Sequence, residues 1–268
     1  MQSLKSFLGV SLYQHIIRSL EFTIDLFYSI VPYAFINKSL SHKKPKIVAH
    51  RGWHEKKIKE NTLESFQMAF EKGLYGIEFD VRWTKDLVPV IHHDVSLQRV
   101  WDENIQLEDI TYDELRKRFP QIPSLEDVIE KFGKKLHLFI ELKQVKWRDI
   151  DRQKFILKNL LSSLVPVEDF HIMALSMDPI QHFNCFPAQT YLLVSSFDVK
   201  KRSLDTLEHK IGGVTGHFLL IHKAYLGKHF AQSQKIGTGF IWSKNCLYRE
   251  MARGVEWHFT NHPWRLIK

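Results

Sequence analysis

Only two cysteines occur in 268 residues, Cys185 and Cys246, far apart and in no metal or redox spacing. That excludes a disulfide framework or a zinc knuckle as the organising device and leaves two buried thiols in a reducing compartment. The chain also lacks the run of about 20 apolar residues that a membrane-spanning helix requires. Its most apolar stretch, Phe7 to Ile36, is broken by Arg18, Glu21 and Asp25, with Pro32 near its end. A secretory signal is disfavoured on similar grounds, because His15 and Arg18 fall where its apolar stretch should continue. Nor is there a basic stripe or tail. The 38 Lys and Arg against 30 Asp and Glu leave a net charge of +8, spread along the chain and mixed with acids. This favours anionic partners in general and disfavours nucleic acid.

What is present at the N-terminus is periodic. Tyr13, Ile17, Leu20, Ile24, Phe27 and Val31 recur at spacings of three or four, which predicts an amphipathic helix. Such a helix packs on the domain as a cover, or lies in a membrane interface with its aromatic face down. Both remain open, and with them a cytoplasmic location with or without peripheral membrane contact through residues 7–36. The polar, basic "NKSLSHKKPK" that follows reads as a linker. The expected organisation is residues 1–45 as helix and linker and residues 46–268 as one domain, a length at which an α/β barrel forms a single unit.

Two segments carry carboxylates on strands. In "GLYGIEFDVRW" a strand over 75–81 puts Tyr75, Ile77, Phe79 and Val81 on one face and Glu78 and Asp80 on the other. In "KKLHLFIELKQ" Leu136, Leu138, Ile140 and Leu142 share a face, opposite His137, Phe139, Glu141 and Lys143. Three buried carboxylates without partners cost several kcal/mol each, roughly, so positive charge must sit among them. Arg51 and Lys143 as ion pairs would serve. So would a hard divalent cation such as Mg2+ or Ca2+, which takes oxygen ligands. The residues alone leave both readings open. A third segment, "LVPVIHHDVSLQR", is an extended apolar run ending in His92, His93 and Asp94. The two histidines would point to opposite faces of a strand, so one of them can join His50, which also ends an apolar strand.

In order along the chain stand "HRG" at 50–52, "ENT" at 60–62, "EFDV" at 78–81, "TKD" at 84–86, "PVIHHD" at 89–94, Arg99, "IPSLEDVI" at 122–129 and "IELK" at 140–143. This ordered set over residues 47–143 resembles the glycerophosphodiester phosphodiesterase family. The later half is similar only through "FIWSKN" at 240–245 and "GVEWHFTNHP" at 254–263. The chain departs from the family pattern at Asn261, where Asp is usual. It departs again in "HRGWHEKKIKENT", where small residues usually follow HRG and a Pro usually precedes the Glu.

The resemblance implies a TIM-like (β/α)8 barrel, and eight candidate strands can be read independently: Ile47 to Ala49, Tyr75 to Val81, Leu136 to Leu142, Phe170 to Leu175, Thr190 to Val194, a stretch within Gly213 to Ile221, Gly237 to Trp242, and Trp257 to Thr260. A barrel builds its site at the C-terminal strand ends, where His50, Glu78, Asp80, Glu141 and Lys143 fall. The resemblance further implies hydrolysis of glycerophosphodiesters to glycerol 3-phosphate and an alcohol. The glycerol 2-hydroxyl would be the internal nucleophile, and water would open the resulting cyclic phosphate. His50 and His93 would be the acid/base pair, in an order the sequence does not fix. Glu78, Asp80 and Glu141 would hold one divalent cation, Mg2+ or Ca2+. Arg51 and Lys143 would bind phosphate, Trp242 would pack against substrate, and Glu60 and Asn61 would orient these groups, with helix capping by Asn61 as the plainer reading. His92 is expected to be structural, and His54, His217, His222, His258 and His262 carry no assignment. Two other functions stay open: a membrane-associated lysophospholipase D, motivated by the N-terminal helix, Trp53 and the basic loop, and a barrel that binds phosphodiesters or membranes without turnover.

Overall fold

The computed structural model describes residues 44–55, 57–143 and 147–267, together with Thr23 and Phe27. The amphipathic helix expected within 7–36 and most of the linker therefore lie outside the described residues. Nine strands form one sheet: β1 (Ile47–His50), β2 (Gly76–Trp83), β3 (Pro89–Ile91), β4 (His137–Leu142), β5 (Phe170–Ala174), β6 (Tyr191–Ser195), β7 (Gly213–His217), β8 (Lys235–Gly239) and β9 (Trp257–Thr260). β1 pairs in parallel with both β2 and β9. That closes eight parallel strands into a (β/α)8 barrel, while β3 adds antiparallel to the outer length of β2. The helices among the described residues are α1 (Leu63–Glu71), α2 (Gln98–Trp101), α3 (Tyr112–Arg118), α4 (Leu125–Phe132), α5 (Ile150–Leu160), α6 (Met177–His182), α7 (Val199–Glu208), α8 (Lys223–Ala231) and α9 (Lys244–Ala252). None is long and apolar enough to cross a membrane.

Strand alternation decides what faces where. Ile77, Phe79 and Val81 of β2 point outward, and Phe79 meets Phe66 of α1 at 5.6 Å between ring centroids. Each large apolar side chain so buried contributes about 1.5–3 kcal/mol. The opposite faces supply the barrel interior: Val48, Phe139, Met173, Leu192, Trp257 and Phe259 fill its middle, and Glu78, Asp80 and Glu141 sit above them. The register fixes this, since His50 pairs with Glu78 and Asp80 with Glu141.

Two local expectations shift. The seventh barrel strand spans Lys235–Gly239 and not Gly237 to Trp242, because Phe240 takes φ +63° and ends the ladder. The helix after "ENT" is capped by Thr62, in a reciprocal capping box with Ser65, and not by Asn61. Asn61 stands one residue earlier at φ +57°, which frees its side chain for other contacts.

Candidate active site

The C-terminal ends of β1, β2 and β4 bring one histidine, one arginine, one lysine and three carboxylates to one place. Oxygen atoms of Glu78, Asp80 and Glu141 lie within 4.8 Å of one another, and all three side chains are buried. Lys143 Nζ stands 2.7 Å from Asp80 Oδ1 and 2.5 Å from Glu141 Oε1, and Arg51 Nε lies 3.3 Å from Asp80 Oδ2. Burial pushes Asp80 up, but Lys143 and Arg51 outweigh it and hold this carboxyl well below the usual range. Glu78 goes the other way: burial, then the neighbouring Asp80 and Glu141 carboxylates, raise it well above its ordinary value. Burial also raises Glu141, partly offset by Lys143.

Lys143 and Arg51 reach Asp80 and Glu141, and Glu78 Oε1 is buried without a hydrogen-bond partner. An orphaned oxygen beside two others at this spacing is what a divalent cation with oxygen ligands requires. The ion pairs are therefore real but incomplete, and the residues fit a cation.

The two histidines differ in what holds them. His50 Nδ1 is 2.6 Å from Asn261 Oδ1, and its Nε2 is 3.7 Å from Glu78 Oε2. With the amide oxygen accepting from Nδ1–H, Nε2 is left facing the carboxylates. Burial and the adjacent Arg51 lower its pKa to about 4. His93 Nδ1 instead meets the Asp94 carboxylate at 2.6 Å, and Arg82 Nε donates to the His93 carbonyl at 2.7 Å. Burial lowers His93, against the pull of Asp80.

Around them runs a chain of ion pairs. Arg99 donates to Asp94 Oδ2 at 2.5 Å and, through both terminal nitrogens, to the Glu60 carboxylate at 2.6 and 3.1 Å. Glu60 in turn accepts from Arg51 at 3.1 Å. Burial opposes the charge on Glu60, but Arg99 and Arg51 lower its pKa to about 2. Asn61 donates to Asp80 Oδ2 at 2.8 Å. His93, Asp94, Arg99, Glu60, Arg51 and Asp80 thus form one continuous series.

His92 is buried, with Nδ1 2.9 Å from the Asp94 carbonyl and Nε2 without a hydrogen-bond partner. Trp242 is not among the carboxylates. It lines a neighbouring cavity of about 70 Å³ with Phe240, Ile241, Thr260, Asn261 and His262, and Arg265 covers its ring at 4.4 Å. Three residues carried no role in the sequence reading: Asp94, Arg99 and Asn261. Asp94 adjoins His93 in the chain, a signal that was available. Asn261 becomes visible only on closure, since β9 beside β1 pairs Ala49 with Thr260 and so brings the next residues, His50 and Asn261, together.

Comparison with known proteins agrees with the fold. Residues 50–195 match the model of the glycerophosphoryl diester phosphodiesterase family. A glycerophosphodiester phosphodiesterase of Caldanaerobacter subterraneus is 37% identical over 112 residues, 37% of this chain and 46% of the relative. The chain thus spans less than half of that relative's length. One from Bacillus altitudinis is 27% identical over 243 residues, 83% of this chain and 97% of the relative. Among solved structures, an Oleispira antarctica phosphodiesterase in complex with the product sn-glycerol-3-phosphate superposes with a TM-score of 0.71 at 20% identity, covering 83% of this chain and 95% of that one.

Proposed function

Since the chain belongs to the glycerophosphoryl diester phosphodiesterase family, we propose that it hydrolyses glycerophosphodiesters to glycerol 3-phosphate and an alcohol. The observation that carries this reading is the convergence of His50, Glu78 and Glu141 on one cavity beneath Phe240, with Arg51, Lys143 and the acid-paired His93 around it. Arg51 presents a planar donor fork and Lys143 a point charge to the phosphoryl oxygens. One imidazole takes the proton of the glycerol 2-hydroxyl as that oxygen attacks phosphorus, and the other gives a proton to the departing alcohol. The roles then reverse as water opens the cyclic phosphate. When bound by Glu78, Asp80 and Glu141, a divalent cation, Mg2+ or Ca2+, supplies neutralisation of the charge that builds on the phosphoryl oxygens. Glu60 and Asn61 act by holding Arg51 and Asp80 in place.

A second reading, removal of the head group from a lysophospholipid, is favoured by one feature. A cavity of about 300 Å³ lined by Leu175, Ser196, Phe197, Asp198 and Arg202 shares one wall residue, Val194, with the cavity containing His50, which leaves room for an apolar tail beside the site. A barrel that binds without turnover has no comparable support, because a binder gains nothing from two oriented imidazoles.

The test is release of glycerol 3-phosphate from glycerophosphocholine by purified protein with Mg2+ or Ca2+, then with EDTA, beside lysophosphatidylcholine and a His93→Ala control. Turnover of the soluble diester, lost with EDTA and in the variant, supports the first reading. Choline released from the lysolipid alone selects the second, and silence on both removes the enzymatic reading.

A further inference from the structure

The helices that follow the barrel strands differ in charge between the two halves of the molecule. A helix N-terminus favours negative charge, and the first turns of α1, α3, α4, α5 and α6 carry Glu64, Asp113 and Glu114, Glu126 and Asp127, Asp151, and Asp178. The next three reverse this. The first turn of α7 has no acid and includes Lys200 and Lys201, α8 begins at Lys223 and α9 at Lys244. All four lysines are exposed and in no ion pair with a described residue. Asp198, which precedes α7, is already paired with Arg202 at 2.8 Å. Three consecutive helices thus place unpaired cations where the backbone dipole opposes them, an arrangement that lowers stability and asks for another cause.

Exposed apolar side chains sit among these lysines. Leu175 follows β5, Phe197 follows β6 and Phe240 follows β8, with 40%, 65% and 53% of their surface in water. Phe240 holds its place at a positive φ, a conformation unfavourable for a bulky residue. Of the other exposed apolar groups, Phe70, Phe155 and Phe230 stand one to a helix, Val165 and Val167 lie ahead of β5 at the opposite end of the barrel, and Val95 follows Asp94. On the C-terminal rim, Leu175, Phe197 and Phe240 share the strand ends with the unpaired lysines of α7, α8 and α9.

We propose that this rim, formed by the segments after β5, β6, β7 and β8, is a docking surface for an anionic lipid bilayer, with Phe197, Phe240 and Leu175 entering the headgroup layer and Lys200, Lys201, Lys223 and Lys244 meeting its negative charge. Aromatic groups at the apolar boundary with lysines above them are the arrangement an interfacial protein requires. The occupant is a lipid surface and not a soluble polyanion, because phosphates alone give no reason to expose Leu175, Phe197 and Phe240. The surface is built from residues other than 7–36 and does not depend on which diester is the substrate.

The experiment is hydrogen exchange of the full chain, read by mass spectrometry over residues 196–203, 218–224 and 240–245. Conditions are no vesicles, phosphatidylcholine vesicles, vesicles with about 30% phosphatidylserine, and heparin. The proposal expects slowed exchange in these segments with anionic vesicles only. It also expects vesicle affinity to fall by about tenfold or more in a Lys200→Glu, Lys223→Glu, Lys244→Glu variant, with turnover of a water-soluble diester kept. Vesicle binding that leaves the three segments unprotected, no vesicle binding at all, or equal protection by heparin would each overturn it. None of these outcomes depends on the enzymatic reading.

Discussion

At the scale of single residues, the site is distinguished by what its histidines lean on. If Asn261 Oδ1 accepts from His50 Nδ1, a side chain of similar size without an acceptor frees the ring to rotate or change tautomer. Asn261→Leu is expected to lower kcat by about 10²-fold or more, with KM changed little. Asn261→Asp, which keeps the acceptor, should stay within about tenfold of the parent. Steady-state kinetics on the two variants separate orientation from packing, because both replace the same volume. Arg99 makes a comparable case through a longer path. It ties Asp94 to Glu60 from a half-exposed position, so Arg99→Met should cost little stability, below about 1 kcal/mol. It should still lower kcat by about tenfold, because His93 and Arg51 lose a common brace. Unchanged kcat would reduce the series of ion pairs to surface decoration.

At the scale of elements, one glycine shows why β1 ends as it does. Gly52 sits at φ +81°, and a Cβ there would lie 2.3 Å from Ser65 Oγ. Ser65 is the residue that completes the cap of α1 with Thr62. The "HRG" turn is therefore packed directly on the helix start, and Gly52→Ala should destabilise by about 2 kcal/mol or more, read as a lowered urea midpoint at unchanged slope. A second lock lies between α7 and α8. Ser203 Oγ meets His229 Nε2 at 2.8 Å, and His229 Nδ1 meets Gln234 Oε1 at 2.7 Å, all of them buried. The triad is shut away from solvent and serves as a structural brace.

Much at this scale was legible in the sequence. Alternation alone separated the apolar outer face of β2 from its acidic inner face and did the same for β4. It failed at β8, where "GTGFIW" continues the apolar run but the backbone turns at Phe240. Thr62 and not Asn61 caps α1 because φ +57° takes Asn61 out of the extended geometry a cap needs. The Asn261 contact spans 211 positions and follows from barrel closure, which no local pattern encodes.

At the scale of the whole molecule, the barrel carries histidines at both ends. His50 and His93 stand beside the carboxylates at the C-terminal end, whereas His137 and His171 at the other end are buried against each other. His137 Nδ1 is 2.9 Å from the Glu168 carbonyl, and its Nε2 is 2.7 Å from His171 Nδ1. The carbonyl can only accept, so Nδ1 carries the proton and Nε2 accepts from His171. A second proton on His137 would put a charge among Phe139 and Trp257, away from water. Burial accordingly lowers His137 to about 4 and His171 to about 2, the latter helped by His137 itself. Because the folded values lie below the ordinary value of 6.5, the unfolded chain binds more protons as pH falls. The stability this pair contributes is whole above about pH 6.5 and is lost as pH falls, down to about 4 for His137 and about 2 for His171. The loss is on the order of a few kcal/mol. The low-lying carboxylate Glu60, at about 2, loses its contribution only below its ordinary 4.5, so it adds nothing to the slope between about pH 6.5 and 4.5. Urea unfolding between about pH 7 and 4.5 should show a falling midpoint, and a His137→Phe, His171→Phe variant should flatten that slope. An equally steep slope in the variant would place the acid sensitivity elsewhere in the barrel.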